Sequence, residues 1–131
     1  MWHDYLSKAE TNLAAAERDF EHRGCDPCVS RAYFAAFHAA LAALLALTDF
    51  QRQREYWNHG HIAAEFARRL IHRRKVFSLS LADTLEDLRS RRHQADYESP
   101  QTSHKSARQS LGMARQFGEQ VKTILQEQRR L

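Results

Sequence analysis

Apolar residues recur at three- and four-residue steps along nearly the whole chain, the spacing of one face of an α-helix. Trp2, Tyr5, Leu6, Ala9, Leu13, Ala16 and Phe20 form the first such stripe, with Lys8, Glu10, Asn12 and Glu17 opposite. The short turn at Arg23 to Pro27 predicts an antiparallel second helix, from about Pro27 to Leu47, with Asp26 as N-cap and Pro27 at the first helical position. Its main stripe is Val29, Tyr33, Ala36, Phe37, Ala40, Leu44 and Leu47, and Phe34, Leu41 and Leu45 make the far side apolar as well. A helix apolar nearly all round belongs at the centre of a bundle or in an interface between copies.

Asp49 to Asn58 has no period and reads as a loop. Ile62, Phe66 and Leu70 mark a third helix ending near Lys75. Ser80 followed by Asp83 resembles a capping box for a fourth helix, whose stripe is Leu81, Leu85 and Leu88 and which extends toward Asp96 before Pro100. The loop Tyr97 to Ser103 leads to a long last helix carrying Ala107, Leu111, Ala114, Phe117, Val121 and Ile124, fraying at Arg129-Arg130. The expectation is an all-α fold: a five-helix up-down bundle forming one domain over residues 1–131.

Composition narrows the function classes. Four glycines and two prolines, with 43% apolar and 27% charged residues, suit an ordered helical chain. The first residues carry an acid and no apolar core of a secretion signal. The longest apolar run, Ala39 to Leu47, is short for a bilayer, and extending it takes in Arg31 and His38. A cytoplasmic protein with no membrane partner is expected. The net charge of +4 comes from arginine clusters at Arg68-Arg69, Arg73-Arg74-Lys75 and Arg89, Arg91, Arg92. Such clusters suit a phosphate-bearing partner such as RNA; cations near helix C-termini also offset the helix dipole.

The chemistry-bearing residues are few. His22, Cys25 and Cys28 offer three metal ligands at workable spacing but no fourth, and His59 and His61, two apart, do not share a helical face, so no metal site and no cofactor is expected. Neither a glycine-rich phosphate loop nor a Ser/His/Asp arrangement can be picked out. Arg92 stands out, because it falls on the stripe set by Leu85 and Leu88, where a leucine would be expected. A guanidinium there must be paired, used, or turned toward another molecule, and Asp96, one turn on, is the obvious holder.

Two stretches resemble a known family. Ser30-Arg31-Ala32-Tyr33-Phe34-Ala35-Ala36-Phe37-His38-Ala39-Ala40 is similar to the RAYYAAFHAA signature of the small bacterial and archaeal HEPN-domain proteins. Arg92-His93-Gln94-Ala95-Asp96-Tyr97 resembles the RxxADY element that one branch of that family carries after its fourth helix. The order of elements fits over nearly the whole chain. The resemblance implies a helical bundle that dimerises, is often encoded beside a minimal nucleotidyltransferase in toxin–antitoxin pairs, and frequently acts as a metal-independent ribonuclease. Catalytic members carry an arginine, four to six residues, then a histidine: the arginine steadies the scissile phosphate while the imidazole moves the 2′-OH proton.

This chain departs from that pattern. Five residues after Arg92 stands Tyr97, and His93 lies four after Arg89, one short of the rule. Arg54 with His59 and Arg31 with His38 match the bare spacing but not the family's position, so both are set aside. Arg89, His93 and Tyr97, four apart, would share one helix side, which leaves Arg92, His93 and Tyr97 as the candidate catalytic set. Arg89, Arg92, Asp96, Arg73 and Arg74 are the candidate residues for RNA or nucleotide binding. The expectation is a homodimeric HEPN-type protein associated with RNA or a nucleotide, partnered by a nucleotidyltransferase-type antitoxin. The competing reading is a non-catalytic structural or regulatory module, in which Arg92 and Asp96 merely fix the loop before the last helix.

Overall fold

A computed structural model describes residues 1–52 and 57–128. They form five helices: α1 (Trp2–Glu21), α2 (Cys25–Leu47), α3 (His59–Phe66, running on as a π-helical stretch Ala67–Arg73), α4 (Ser80–Tyr97) and α5 (His104–Glu127). The expected all-α bundle is observed. Arg54 and the fraying end at Arg129-Arg130 lie outside the described residues.

The centre of the bundle is α2. Fourteen of its twenty-three residues are buried, so the side expected to be surplus is largely consumed within the chain: Leu41 is fully enclosed, and only Phe34 and Leu45 on that side remain partly open. All four other helices pack against it. By length and hydropathy alone α2 would pass as a membrane span even with Arg31 and His38 inside it, yet 72% of the qualifying window is buried in the bundle.

Several local expectations are corrected. The α1 end is a Schellman turn, with Gly24 N–H donating to the Asp19 carbonyl at 2.7 Å and Arg23 N–H to Phe20 at 3.1 Å. Arg23 takes the left-handed position at φ 62°, where a glycine is usual. That turn starts α2 at Cys25, two residues early, with Gly24 as N-cap. Asp26 therefore lies inside the helix, and its carboxylate accepts from the Thr102 N–H at 2.9 Å, tying the loop before α5 to the start of α2. Ser80 is likewise the first residue of α4 and not its cap; no side chain caps that end. Asn58 caps α3 by accepting from the His61 N–H at 2.9 Å, and Ser103 caps α5 from the Ser106 N–H at 3.1 Å.

The third helix widens into π geometry where the adjacent Leu70 and Ile71 are both buried. An ordinary turn separates neighbours by 100°, and the wider turn brings both toward the core. Lys75, left-handed at φ 52°, ends that stretch.

Candidate functional site

One flank of α4 meets α2 and the start of α3. The buried stripe of α4 runs Leu81, Leu85, Leu88 and on to Ala95, with Arg92 at its edge. The Arg92 side chain is 29% exposed, and its guanidinium lies over the Phe34 ring at 5.2 Å. Its Nε sits 2.8 Å from Asp96 Oδ2, so the expected one-turn pair forms. The buried Nε–H is nonetheless poorly aimed at that oxygen and makes no hydrogen bond. The pair is thus an electrostatic contact that leaves hydrogen-bonding capacity unused.

Beside it stands a group that only the fold brings together. Tyr33 and His59 are 26 residues apart, yet Tyr33 Oη lies 2.6 Å from His59 Nδ1. The His59 ring stacks on Phe37 at 4.1 Å and meets Phe34 edge-on at 5.8 Å. Burial lowers the pKa of His59 below its ordinary value, and the nearby Arg89, Arg92 and His38 press it the same way. Burial pushes the Tyr33 phenol up to about 12, against the opposing pull of the two arginines. Both groups are therefore neutral at pH 7. Arg89 reaches over the first turn of α3: a Cβ placed on Gly60 would lie 3.4 Å from its Nη1. No ion pair or hydrogen bond holds Arg89 among the described residues.

The arginines of α4 thus separate by face. Arg91 turns to α5, pairing with Asp87 at 3.0 Å and donating to the Ser106 carbonyl at 3.2 Å, which makes it a fastening between helices. Arg89 and Arg92 share the flank with His59 and Tyr33. His93 and Tyr97 are exposed, Tyr97 at 66%, with ring centroids 5.0 Å apart. Among the described residues neither has a hydrogen bond that would orient it.

Arg73 and Arg74 do not join this site. Arg74 donates to the Leu47 carbonyl at the end of α2, and both line a cleft of about 550 Å³ with Asp49 and Arg69. Phe34 and Leu47 are thirteen residues apart on α2, about 20 Å at the helical rise. The two sets grouped by sequence therefore sit at different places along the central helix.

The other histidine and cysteine candidates have structural surroundings. His38 Nδ1 lies 2.9 Å from the Phe34 carbonyl, and its pKa is lowered chiefly by burial. His22 is exposed, with Nδ1 2.8 Å from the Arg18 carbonyl. Cys28 is fully enclosed, its thiol pushed up to about 11 by burial, with Asp19 and Cys25 adding to the shift. What sequence reasoning missed was the Tyr33–His59 pair. The one available signal was that Tyr33 lies in the stretch that carried the family resemblance.

The family model described as HEPN domain matches residues 2–124. No curated protein matches the chain. The match spans nearly all of the sequence, and the chain belongs to the HEPN-domain family.

Proposed function

We propose that this HEPN-family chain is an RNA- or nucleotide-associated component of a toxin–antitoxin or defence system, with the α4 flank at Arg89 and Arg92 as its phosphate-contacting surface. The observation that carries the reading is the placement of two guanidinia, with Asp96 the only carboxylate paired with either among the described residues, beside a neutral imidazole–phenol pair. A planar guanidinium held from one side by a carboxylate keeps its other N–H groups for a phosphate. Metal-independent ribonuclease activity is part of the proposal: Arg92 would steady the phosphate, with His93 and Tyr97 as the nearest solvent-facing groups on the same helix.

A nucleotidyltransferase-type antitoxin and a second copy of the chain are the proposed partners. The open faces of Phe34, Leu45 and Tyr97 support a seam between copies along α2 and the end of α4. Light scattering checks this, and a mass near 15.3 kDa at all micromolar concentrations would exclude the dimer. The functional test is purified protein, with and without the product of its neighbouring gene, incubated with total RNA and tRNA in EDTA. Binding or cleavage that Arg92→Gln abolishes supports the reading. RNA handling identical in wild type and Arg92→Gln would sink it.

A further inference from the structure

The chain's only two cysteines, Cys25 and Cys28, stand at the start of α2 and take no part in the flank of α4. We propose that they are a peroxide-responsive dithiol, which closes to a disulfide across the first turn of α2 and thereby loosens the Asp26–Thr102 contact that holds the loop before α5. Neither RNA nor a nucleotide is involved.

Position brings the two sulfurs within reach. Residues three apart on an α-helix share a face, and the helical rise and radius set their Cα atoms about 5 Å apart. Disulfides span Cα separations of about 4.4–6.8 Å. The fold also divides the roles. Cys28 is fully enclosed, its sulfur 4.0 Å from the Ala107 carbonyl oxygen. Burial pushes its thiol up to about 11, and Cys25 stands near enough to add to the shift, so Cys28 keeps its proton at neutral pH. Cys25, the first residue of the helix, is only partly buried and is the sulfur that meets the oxidant.

The chemistry balances with hydrogen peroxide. The Cys25 sulfur attacks one peroxide oxygen, the O–O bond breaks, and the other oxygen leaves as water with the thiol proton; a sulfenic acid remains. The Cys28 sulfur then attacks the Cys25 sulfur, the S–O bond breaks, and the departing hydroxide takes the Cys28 proton as a second water. Two electrons pass from the two thiols to the peroxide.

Closing the ring moves the backbone. Cβ atoms three apart on a helix lie about 5–6 Å from each other, whereas a disulfide needs about 3.5–4.5 Å, so the first turn must tighten by about 1 Å. A bond formed under such strain is readily reduced, which suits a switch better than a staple. Asp26 lies inside the ring, and its carboxylate accepts from the Thr102 N–H at 2.9 Å. A shift of that size takes the pair out of hydrogen-bonding geometry. The loop so released joins α5 to the end of α4, where Arg92 and Asp96 sit.

The test treats the full chain with hydrogen peroxide and reads its intact mass before and after a thiol reductant. The expected product is a monomer about 2 Da lighter, with no thiol open to alkylation on unfolding, and reductant restores it. Cys28→Ala should stop at a Cys25 sulfenic acid that dimedone traps, and Cys25→Ser should leave the enclosed Cys28 unmodified. Oxidation should speed hydrogen exchange at the Thr102 amide about tenfold in the wild type and leave it unchanged in Cys25→Ser. Two free thiols after peroxide, oxygen added to Cys25 with no disulfide, or a disulfide formed only between copies would overturn the proposal. So would a Cys25–Cys28 disulfide that leaves Thr102 exchange unmoved. The decisive readouts are on the wild type, so a variant that fails to fold leaves the test intact.

Discussion

Near the end of α2, Arg68 and Arg69 both hold the Glu65 carboxylate at 2.7 Å, Arg69 also reaches Asp49 at 2.7 Å, and Arg74 donates to the Leu47 carbonyl. On the flank of α4, Arg92 has one misaligned carboxylate and Arg89 has none among the described residues. In sequence the two regions look alike, each a cluster of arginines near a helix end. In the fold one set is mostly occupied with its own chain, while the other leaves donors open beside a neutral imidazole. Arginine count alone says nothing of availability; the acceptors that the fold supplies decide it.

The largest expected effect breaks this contrast directly. Arg89→Gln with Arg92→Gln should lower RNA affinity about 100-fold, since each charged hydrogen bond to phosphate is worth about 1.5–3 kcal/mol. Replacing Arg73, Arg74 and Lys75 by glutamine should cost less than about tenfold at physiological salt and flatten the salt slope by about one unit, as for cations that act at a distance. Fluorescence anisotropy at several salt concentrations measures both. Equal losses from the two sets would erase the distinction.

Stability should show the opposite order. Glu65→Gln removes the shared acceptor of two arginines and should cost about 1 kcal/mol in denaturant melts. Its carboxyl pKa is lowered, chiefly by the Arg69 hydrogen bond. The stabilisation is thus present above the unfolded value near 4.3 and lost as pH falls through the lower folded one. Arg92→Ala and Asp96→Ala should each cost under about 1 kcal/mol, because their side chains are 29% and 27% exposed. A loss near 3 kcal/mol in both, with strong coupling in the double mutant, would make the pair a structural lock.

These expectations show where sequence was sufficient. The centrality of α2 was legible because apolar residues surround the helix, and the Arg92–Asp96 pair because one turn separates them. The π-helical stretch was not, since the adjacency of Leu70 and Ile71 fits a regular helix equally well until neighbours demand both. Asp26 was misplaced because Arg23 supplies a turn that glycine usually makes. The partnership of Tyr33 with His59 crosses 26 residues and two helices, and no local pattern records it.

A smaller effect concerns pH. The folded pKa of His59 is depressed, so the unfolded chain binds a proton that the folded chain refuses. Stability should therefore fall as pH drops below about 6.5 toward the folded value, with His38 contributing in the same direction. His59→Gln should flatten part of that slope. Melts across pH 5 to 8 that show no difference from wild type would remove His59 from the set of buried neutral groups.

The smallest expected effect divides α4 itself. His93 and Tyr97 follow Arg92 on the same helix and were the catalytic candidates by spacing, yet both are exposed, and among the described residues the only ring contact of either is with the other. An exposed imidazole without an orienting partner is poorly placed for proton transfer, which needs a fixed distance to the reacting hydroxyl. His93→Gln and Tyr97→Phe should thus alter stability by no more than about 0.5 kcal/mol and phosphate affinity by less than about twofold. Any ribonuclease activity sharpens the point. If cleavage in EDTA survives His93→Gln and falls with His59→Gln, the working imidazole is the one on α3; if it vanishes with His93→Gln at unchanged affinity, a second copy or a partner must be orienting His93, because no hydrogen bond from the described residues does.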